Sequence, residues 1–162
     1  MDTRELISRF AAGPAALESR LNDLTQDQLH YRPFPDAWTV HEQAVHLADA
    51  ELNTSVRLRK ILAESGAAVE VMDEEKWFAG LDYQAQDLNR AVRLFRLLRE
   101  ASCDLLSRVP EGAWEGSWVA HPERGKVTLR DLVETYARHV DTHLGYIERN
   151  LRLWKERGST KK

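Results

Sequence analysis

The longest helical pattern in the sequence lies near its C-terminus and sets the main constraint on the fold. Thr128, followed three positions later by Asp131, is a helix N-cap signal. Apolar side chains then recur at helical spacing, at Leu129, Leu132, Val133, Tyr136, Val140, Leu144, Ile147, Leu151 and Trp154. A helix of this length with one apolar side must bury that side, and other helices are its natural partners.

The N-terminal segment supplies the first of those partners. Asp2, followed three positions later by Glu5, predicts the start of a helix that runs to about Asn22. Gly13 and Pro14 interrupt it, because proline lacks a backbone donor and clashes with the preceding turn. We therefore expect a kink or a restart at that point of the first helix.

Two further helices are predicted in the middle of the chain. Thr39 and Glu42 form a capping box that starts the second helix, and Gly66 ends it. After a looser stretch to about Asp82, apolar side chains at helical spacing predict a third helix over residues 83–108. Both segments have the amphipathic pattern that a helical bundle needs.

The connections contain neither repeats nor strand-like alternation. Residues 113–127 form a link too long for a tight turn, and links of this length are often functional covers. The prediction is therefore an all-α chain, a four-helix bundle. Its length of 162 residues is enough to bury a core in one domain, which we place at residues 1–157 with a disordered tail at 158–162.

Charge and hydropathy exclude two classes of partner. Lys and Arg number 23 against 26 Asp and Glu, so no basic excess favours nucleic acid or anionic lipid. No apolar run approaches the roughly 18 residues that cross a bilayer, and the N-terminus is too charged for a signal peptide. We expect a cytoplasmic protein with no nucleic-acid or membrane partner. The single cysteine, Cys103, is predicted to be a buried structural thiol.

Two histidines of the last helix form the first candidate site. His139 and His143 are four residues apart, which brings their side chains onto one helix face at a Cβ separation of about 5 to 6 Å. That face carries the apolar stripe and points into the bundle. Buried imidazoles need partners, so the pair either binds a metal or donates to carboxylates. Val140 excludes a zinc-protease helix, in which glutamate follows the first histidine.

Other histidines are harder to place. His46 is a natural third ligand from a different helix, but it lies about a quarter turn away from the apolar stripe of the second helix. Periodicity alone therefore does not bring it to the site. His41 lies five residues before it, the wrong offset for one face, and is predicted at the surface or at an interface. His30 and His121 fall in connections, and the same prediction applies to them.

The order and spacing of several motifs resemble one known family. The run WTVHEQAVHLADAE at residues 38–51 is followed some ninety residues later by TLRDL from Thr128 and by HVDTH at residues 139–143. Together they resemble the DinB/YfiT-like superfamily. The resemblance implies a four-helix bundle in an up-down-down-up arrangement. It also implies one divalent metal ion bound by His46, His139 and His143.

Three imidazole ligands would leave at least one open coordination position, which marks a catalytic rather than a structural site. Zinc is favoured by the ligand type, although nickel, iron and manganese also accept imidazole. The resemblance includes thiol-dependent transferases. Our first hypothesis is therefore a metal-dependent transferase in which a low-molecular-weight thiol, activated on the ion, attacks a small electrophilic substrate.

Two alternatives remain open. One is a metal-dependent hydrolase that acts on a small molecule through metal-bound hydroxide. The other is a metal-binding or stress-associated bundle without catalysis, since many relatives have no demonstrated activity. Relatives commonly form dimers, so the resemblance also implies a homodimer.

Residues that support the ligands are suggested by helix geometry. Asp49 and Glu51 follow His46 by three and five positions, and Tyr136 precedes His139 by three. Metal-bound histidines usually donate their second ring proton to a carboxylate or carbonyl, so these are candidates for the second ligand shell. The alternative for both carboxylates is a solvated or interhelical charge, and for the tyrosine a core aromatic role. No side chain is predicted as the catalytic acid or base.

Overall fold

A computed structural model of the protein describes residues 1–159, which are mostly helical. The α-helices are α1 (Thr3–Ala11), α2 (Gly13–Leu21), α3 (Gln26–Leu29), α4 (Val40–Ala63), α5 (Glu74–Gly80), α6 (Leu88–Leu106), α7 (Ala113–Gly116) and α8 (Leu129–Ser159). A 3-10 turn spans Tyr83–Ala85, and two strands, β1 (Trp118–His121) and β2 (Gly125–Thr128), precede the last helix. Helix α8 thus extends into the predicted tail, of which residues 160–162 lie outside the described chain.

Capping side chains fix the starts of the main helices as the sequence predicts. Asp2 and Glu5 form a complete capping box at α1, and Thr39 and Glu42 form another at α4. The predicted interruption of the first helix is also confirmed, because Pro14 occupies the first turn of α2 and separates it from α1.

The long link between α4 and α6 explains why these two helices run in the same direction. The link leaves the end of α4, where the Gly66 amide donates to the Trp118 carbonyl at 2.7 Å. It returns to the start of α4, where the Gln84 amide donates to the Thr39 hydroxyl at 2.9 Å. Helix α6 therefore begins beside the start of α4 and lies parallel to it.

The remaining helices run the opposite way. The Asn150 side chain, late in α8, donates to the Trp38 carbonyl just before α4 at 2.8 Å, so α8 is antiparallel to α4. Helices α1 and α2 run alongside α8, as two ion pairs in the same order show, from Arg9 to Asp141 and from Arg20 to Glu148. The four-helix bundle with up-down-down-up topology is confirmed.

A β-hairpin corrects the expectation that the chain has no strands. Strands β1 and β2 pair antiparallel with Val119 opposite Val127, and both valines are buried against the bundle. Gly125 adopts a positive φ of 67° where the chain turns, a conformation that glycine adopts readily. The hairpin lies within the predicted cover, between α7 and α8.

Helix α4 lies at the centre of the bundle and packs against both α6 and α8. Residues 39–48 are all buried, so the first part of α4 has no solvent-facing side. Within residues 1–159, no helix is long and apolar enough to cross a membrane.

Candidate metal centre

The central helix and the last helix bring three histidines to one point. The Nε2 atom of His139 lies 3.3 Å from Nε2 of His46 and 3.0 Å from Nε2 of His143. One ring nitrogen from each residue lies within 4.8 Å of the others, a grouping that could hold a metal ion. The structure thus brings together all three predicted ligands, including His46, which periodicity did not place.

Burial keeps these imidazoles neutral. His46 is 0% exposed and His143 is 6% exposed, whereas His139 is partly accessible. Burial, aided by the neighbouring imidazoles, lowers the pKa of His46 to about 3 and that of His143 to about 2. Burial and the positive charge of Arg99 lower the pKa of His139 to about 4. All three rings therefore present unprotonated nitrogens at neutral pH, the form that binds metals.

A glutamine fixes the orientation of one of the rings. Nδ1 of His143 lies 2.5 Å from Oε1 of Gln43, so this nitrogen donates to the amide oxygen. The Nε2 atom of a neutral His143 then carries a lone pair directed at the other two histidines. Gln43 was not predicted as a supporting residue from the sequence. Its position three residues before His46, which places both on neighbouring parts of one helix face, is the signal that could have identified it.

The spacing of the ring nitrogens fits a divalent ion. Zinc bound to histidine nitrogen at about 2.0 to 2.1 Å in tetrahedral geometry requires ligand atoms roughly 3.4 Å apart. The two observed separations, 3.0 and 3.3 Å, are close to this value. Without an ion, the single Nε2 of His139 would have to satisfy both neighbouring nitrogens. The Nδ1 atom of His46 is also buried without a hydrogen-bond partner among the described residues.

Aromatic rings surround the three imidazoles. Trp38 meets the His46 ring edge-on at a centroid distance of 4.9 Å and stacks on Phe78 at 5.0 Å. The Tyr136 ring lies edge-on to His139 at 5.7 Å. These rings exclude water from most of the site and leave His139 as its accessible edge.

The predicted supporting residues make other bonds instead. Asp49 faces the Tyr83 hydroxyl, and burial raises the pKa of its carboxyl group. Glu51 forms a buried ion pair with Arg99 at 2.6 Å, the interhelical charge that was the alternative for this residue. In the part of the chain that the structure describes, neither carboxylate bonds a histidine ring. The hydroxyl of Tyr136 accepts from Arg57 at 2.8 Å.

A cavity of about 230 Å³ lies beside the candidate metal centre, and His139 forms part of its wall. The hairpin region contributes His121 and Arg124 to the same cavity, and α4 contributes Arg57. The predicted cover therefore borders the site, although Trp118, one of its large side chains, packs near Gly66 instead. A larger cavity, of about 490 Å³, is lined by none of the three candidate ligands.

Of the two positions predicted for His41, surface or interface, the surface is excluded, because this residue is buried between α4 and the link before α6. This residue is 6% exposed, and its Nε2 lies 3.0 Å from the Gln86 carbonyl. The chain link that returns to the start of α4 covers it, which its position within α4 could not reveal. Cys103 is partly buried, and burial raises the pKa of its thiol to about 11, so it is a poor nucleophile.

The fold and the site together define the class of this protein: a four-helix bundle with two parallel neighbouring helices and a three-histidine candidate metal site. Comparison with known proteins supports this class. A family model described as the DinB superfamily matches residues 9–147, most of the sequence. The chain belongs to the DinB superfamily.

Individual relatives carry a common description. A protein of Oceanobacillus iheyensis named "Putative metal-dependent hydrolase" is 28% identical over 88% of this chain and 82% of its own length. YfiT of Bacillus subtilis bears the same description and is 27% identical over 83% of this chain and 75% of its own.

A solved structure supports the topology. YfiT from Bacillus subtilis, described as a probable metal-dependent hydrolase with an unusual four-helix bundle topology, superposes with a TM-score of 0.86. The match covers 93% of this chain and 86% of that chain at 24% identity, so it bears on the fold alone.

Proposed function

We propose that this protein is a divalent-metal-dependent hydrolase of small molecules that holds its ion through His46, His139 and His143. The observation that carries the proposal is the convergence of three neutral Nε2 atoms, with separations of 3.0 and 3.3 Å from the central one. An all-nitrogen set of three ligands is typical of catalytic zinc, which keeps a further position open.

The ion itself would supply Lewis acidity and a nucleophile derived from water at neutral pH. Zinc fits the ligand type best, and nickel, iron and manganese are the alternatives.

The protein's own residues prepare the site for this chemistry. Gln43 holds His143 in the tautomer that directs its Nε2 inward. Trp38 packs against the His46 ring, Phe78 stacks on Trp38, and together they limit the access of water to His46. His139 borders the cavity, so a small substrate would reach the ion from that side.

We propose hydrolysis as the reaction in place of thiol transfer, which was the first hypothesis from the sequence. The relatives are described as metal-dependent hydrolases, and this description applies to them rather than to the present chain. Thiol transfer uses the same ligands and stays a prediction, with the thiol as a second substrate in the cavity.

The test is turnover by untagged protein loaded with zinc. A panel of small esters, amides and lactones is assayed with and without a low-molecular-weight thiol, next to His139→Ala. Hydrolysis without thiol, lost in the variant, supports the proposal. Turnover only with thiol would assign the protein as a transferase. Stoichiometric metal binding with no turnover in either assay would leave a non-catalytic metal-binding bundle.

A further inference from the structure

Among the residues that the structure describes, no carboxylate neutralises the buried cation Arg57. Its side chain is 8% exposed. It donates to the Tyr136 hydroxyl at 2.8 Å and to the Glu70 backbone carbonyl at 2.6 Å. No Asp or Glu of residues 1–159 lies within ion-pairing distance of it. Arg99, the other deeply buried arginine, is by contrast paired with Glu51 at 2.6 Å.

A guanidinium stays charged at any physiological pH, so burial without an anion is costly. Two neutral oxygens satisfy only part of its five donors. The remaining donors and the net charge are available to an anion from outside the chain. Carboxylates are the anions that a guanidinium binds in bidentate fashion.

The position of Arg57 makes such an anion relevant to the site. It lines the same cavity of about 230 Å³ as His139, on the side of the candidate metal. Arg124, from the hairpin, lines it as well, and its guanidinium donates to the Thr135 hydroxyl at 3.1 Å. Burial lowers the pKa of His121, another residue of the cavity wall, and the positive charges of Arg57 and Arg124 lower it further.

The rest of the cavity limits the size and charge of its ligand. Ala50, Val71 and Met72 provide apolar wall, which suits a short aliphatic or aromatic body. Glu74 and Glu123 also line the cavity and oppose a dianion such as phosphate.

We propose that this cavity selects small molecules that carry a carboxylate, bound by Arg57 with Arg124 as a second cation. The inference rests on the proposed function for the reacting end of the ligand and adds the group that the protein recognises. Arg57 is then a specificity-determining residue.

Binding to metal-free protein separates this recognition from the metal site. Butyrate and its neutral isostere butyramide are titrated into chelator-treated protein and followed by NMR chemical shifts of residues around the cavity. Butyrate is expected to bind more tightly than butyramide, and Arg57→Gln is expected to weaken butyrate by roughly tenfold to a hundredfold while leaving butyramide unchanged.

Two variants separate charge recognition from structural support. Arg57→Lys keeps the charge and is expected to bind butyrate with intermediate strength. Arg59→Gln, on the exposed side of α4, is expected to leave butyrate binding unchanged. Urea unfolding confirms that each variant is folded.

Several results would overturn the inference. These are equal binding of butyrate and butyramide, absence of butyrate binding, tighter binding of inorganic phosphate, or an equal loss in Arg59→Gln. None of them depends on metal, so the hydrolase proposal is judged separately by turnover of a neutral ester.

Discussion

Gln43 and His143 are joined by a hydrogen bond of 2.5 Å between the glutamine Oε1 and the histidine Nδ1. The bond crosses from α4 to α8 and is buried. One turn further along α4, His46 is itself a candidate ligand. A single helix therefore supplies both a candidate ligand and the group that orients a second one.

Replacing Gln43 by leucine should weaken metal binding without removing a ligand. Loss of such a supporting partner typically costs 10- to 100-fold in metal affinity, because the ring loses its preferred tautomer and orientation. Gln43→Glu keeps an acceptor at this position and should bind zinc at least as tightly as wild type. Competition with a chromophoric chelator measures both affinities. Equal affinity of Gln43→Leu and wild type would show that the bond does not support the ligand.

The three histidines should each be necessary for stoichiometric metal. Untagged wild-type protein should contain about one equivalent of a divalent ion, since three inward nitrogens and an open position define one site. His46→Ala, His139→Ala and His143→Ala should each lose most of it. His30→Ala, an exposed histidine, is the matched control and should retain it. Elemental analysis provides the measurement, and full metal in any of the three ligand variants would remove that residue from the site.

The two histidines of α8 were predictable from spacing, whereas His46 was not. Helix α8 has one buried side, so a separation of four residues identifies neighbours on it. The start of α4 is buried on every side, from residue 39 to residue 48. An apolar stripe therefore marks no single inward direction there, and an angular count placed His46 a quarter turn away. Only the resemblance to the family brought it to the site.

Features that depend on contacts between distant parts of the chain could not be predicted from the sequence. The strands of the hairpin are four residues long, too short for a clear alternation, and they pair partly with Ala67 and Ala68 from another link. Arg57 and Arg59 are two residues apart and look alike in sequence, yet only the first is buried. The link after α4 packs over Arg57 and not over Arg59, and this contact determines which of the two arginines is buried.

Metal-free protein should lose stability as the pH falls below about 6.5. The folded pKa values of the three histidines, about 3, 4 and 2, lie below the ordinary value of 6.5. Between those values and 6.5 the unfolded chain binds more protons than the folded chain, so acid favours unfolding. Each histidine should lower the free energy of unfolding by about 1.4 kcal/mol per pH unit in that interval.

Urea unfolding with a chelator present measures this pH dependence. Between about pH 6 and pH 5, His143→Gln should show a slope smaller than wild type by about 1.4 kcal/mol per pH unit, because one titrating group is gone. Above pH 7 the two slopes should coincide. Identical slopes in the acidic interval would mean that His143 is not held neutral by burial.

The Glu51–Arg99 ion pair should be more important to stability than any surface pair. Both side chains are at most 2% exposed, and Arg99 also donates to the Phe10 carbonyl at 2.6 Å. Burial raises the pKa of Glu51, and the charge of Arg99 opposes that shift. Removing one partner leaves an uncompensated buried charge, so Glu51→Leu or Arg99→Met should cost about 3 to 5 kcal/mol.

The double variant Glu51→Leu with Arg99→Met should cost less than the sum of the two single changes, because no buried charge remains. Asp141→Ala is the surface control. It breaks a pair with Arg9 in which both side chains are about half exposed, and it should cost less than about 1 kcal/mol. A double-mutant cycle by urea unfolding gives the coupling energy. Additive costs for the two buried residues would show that they stabilise the bundle independently rather than as a pair.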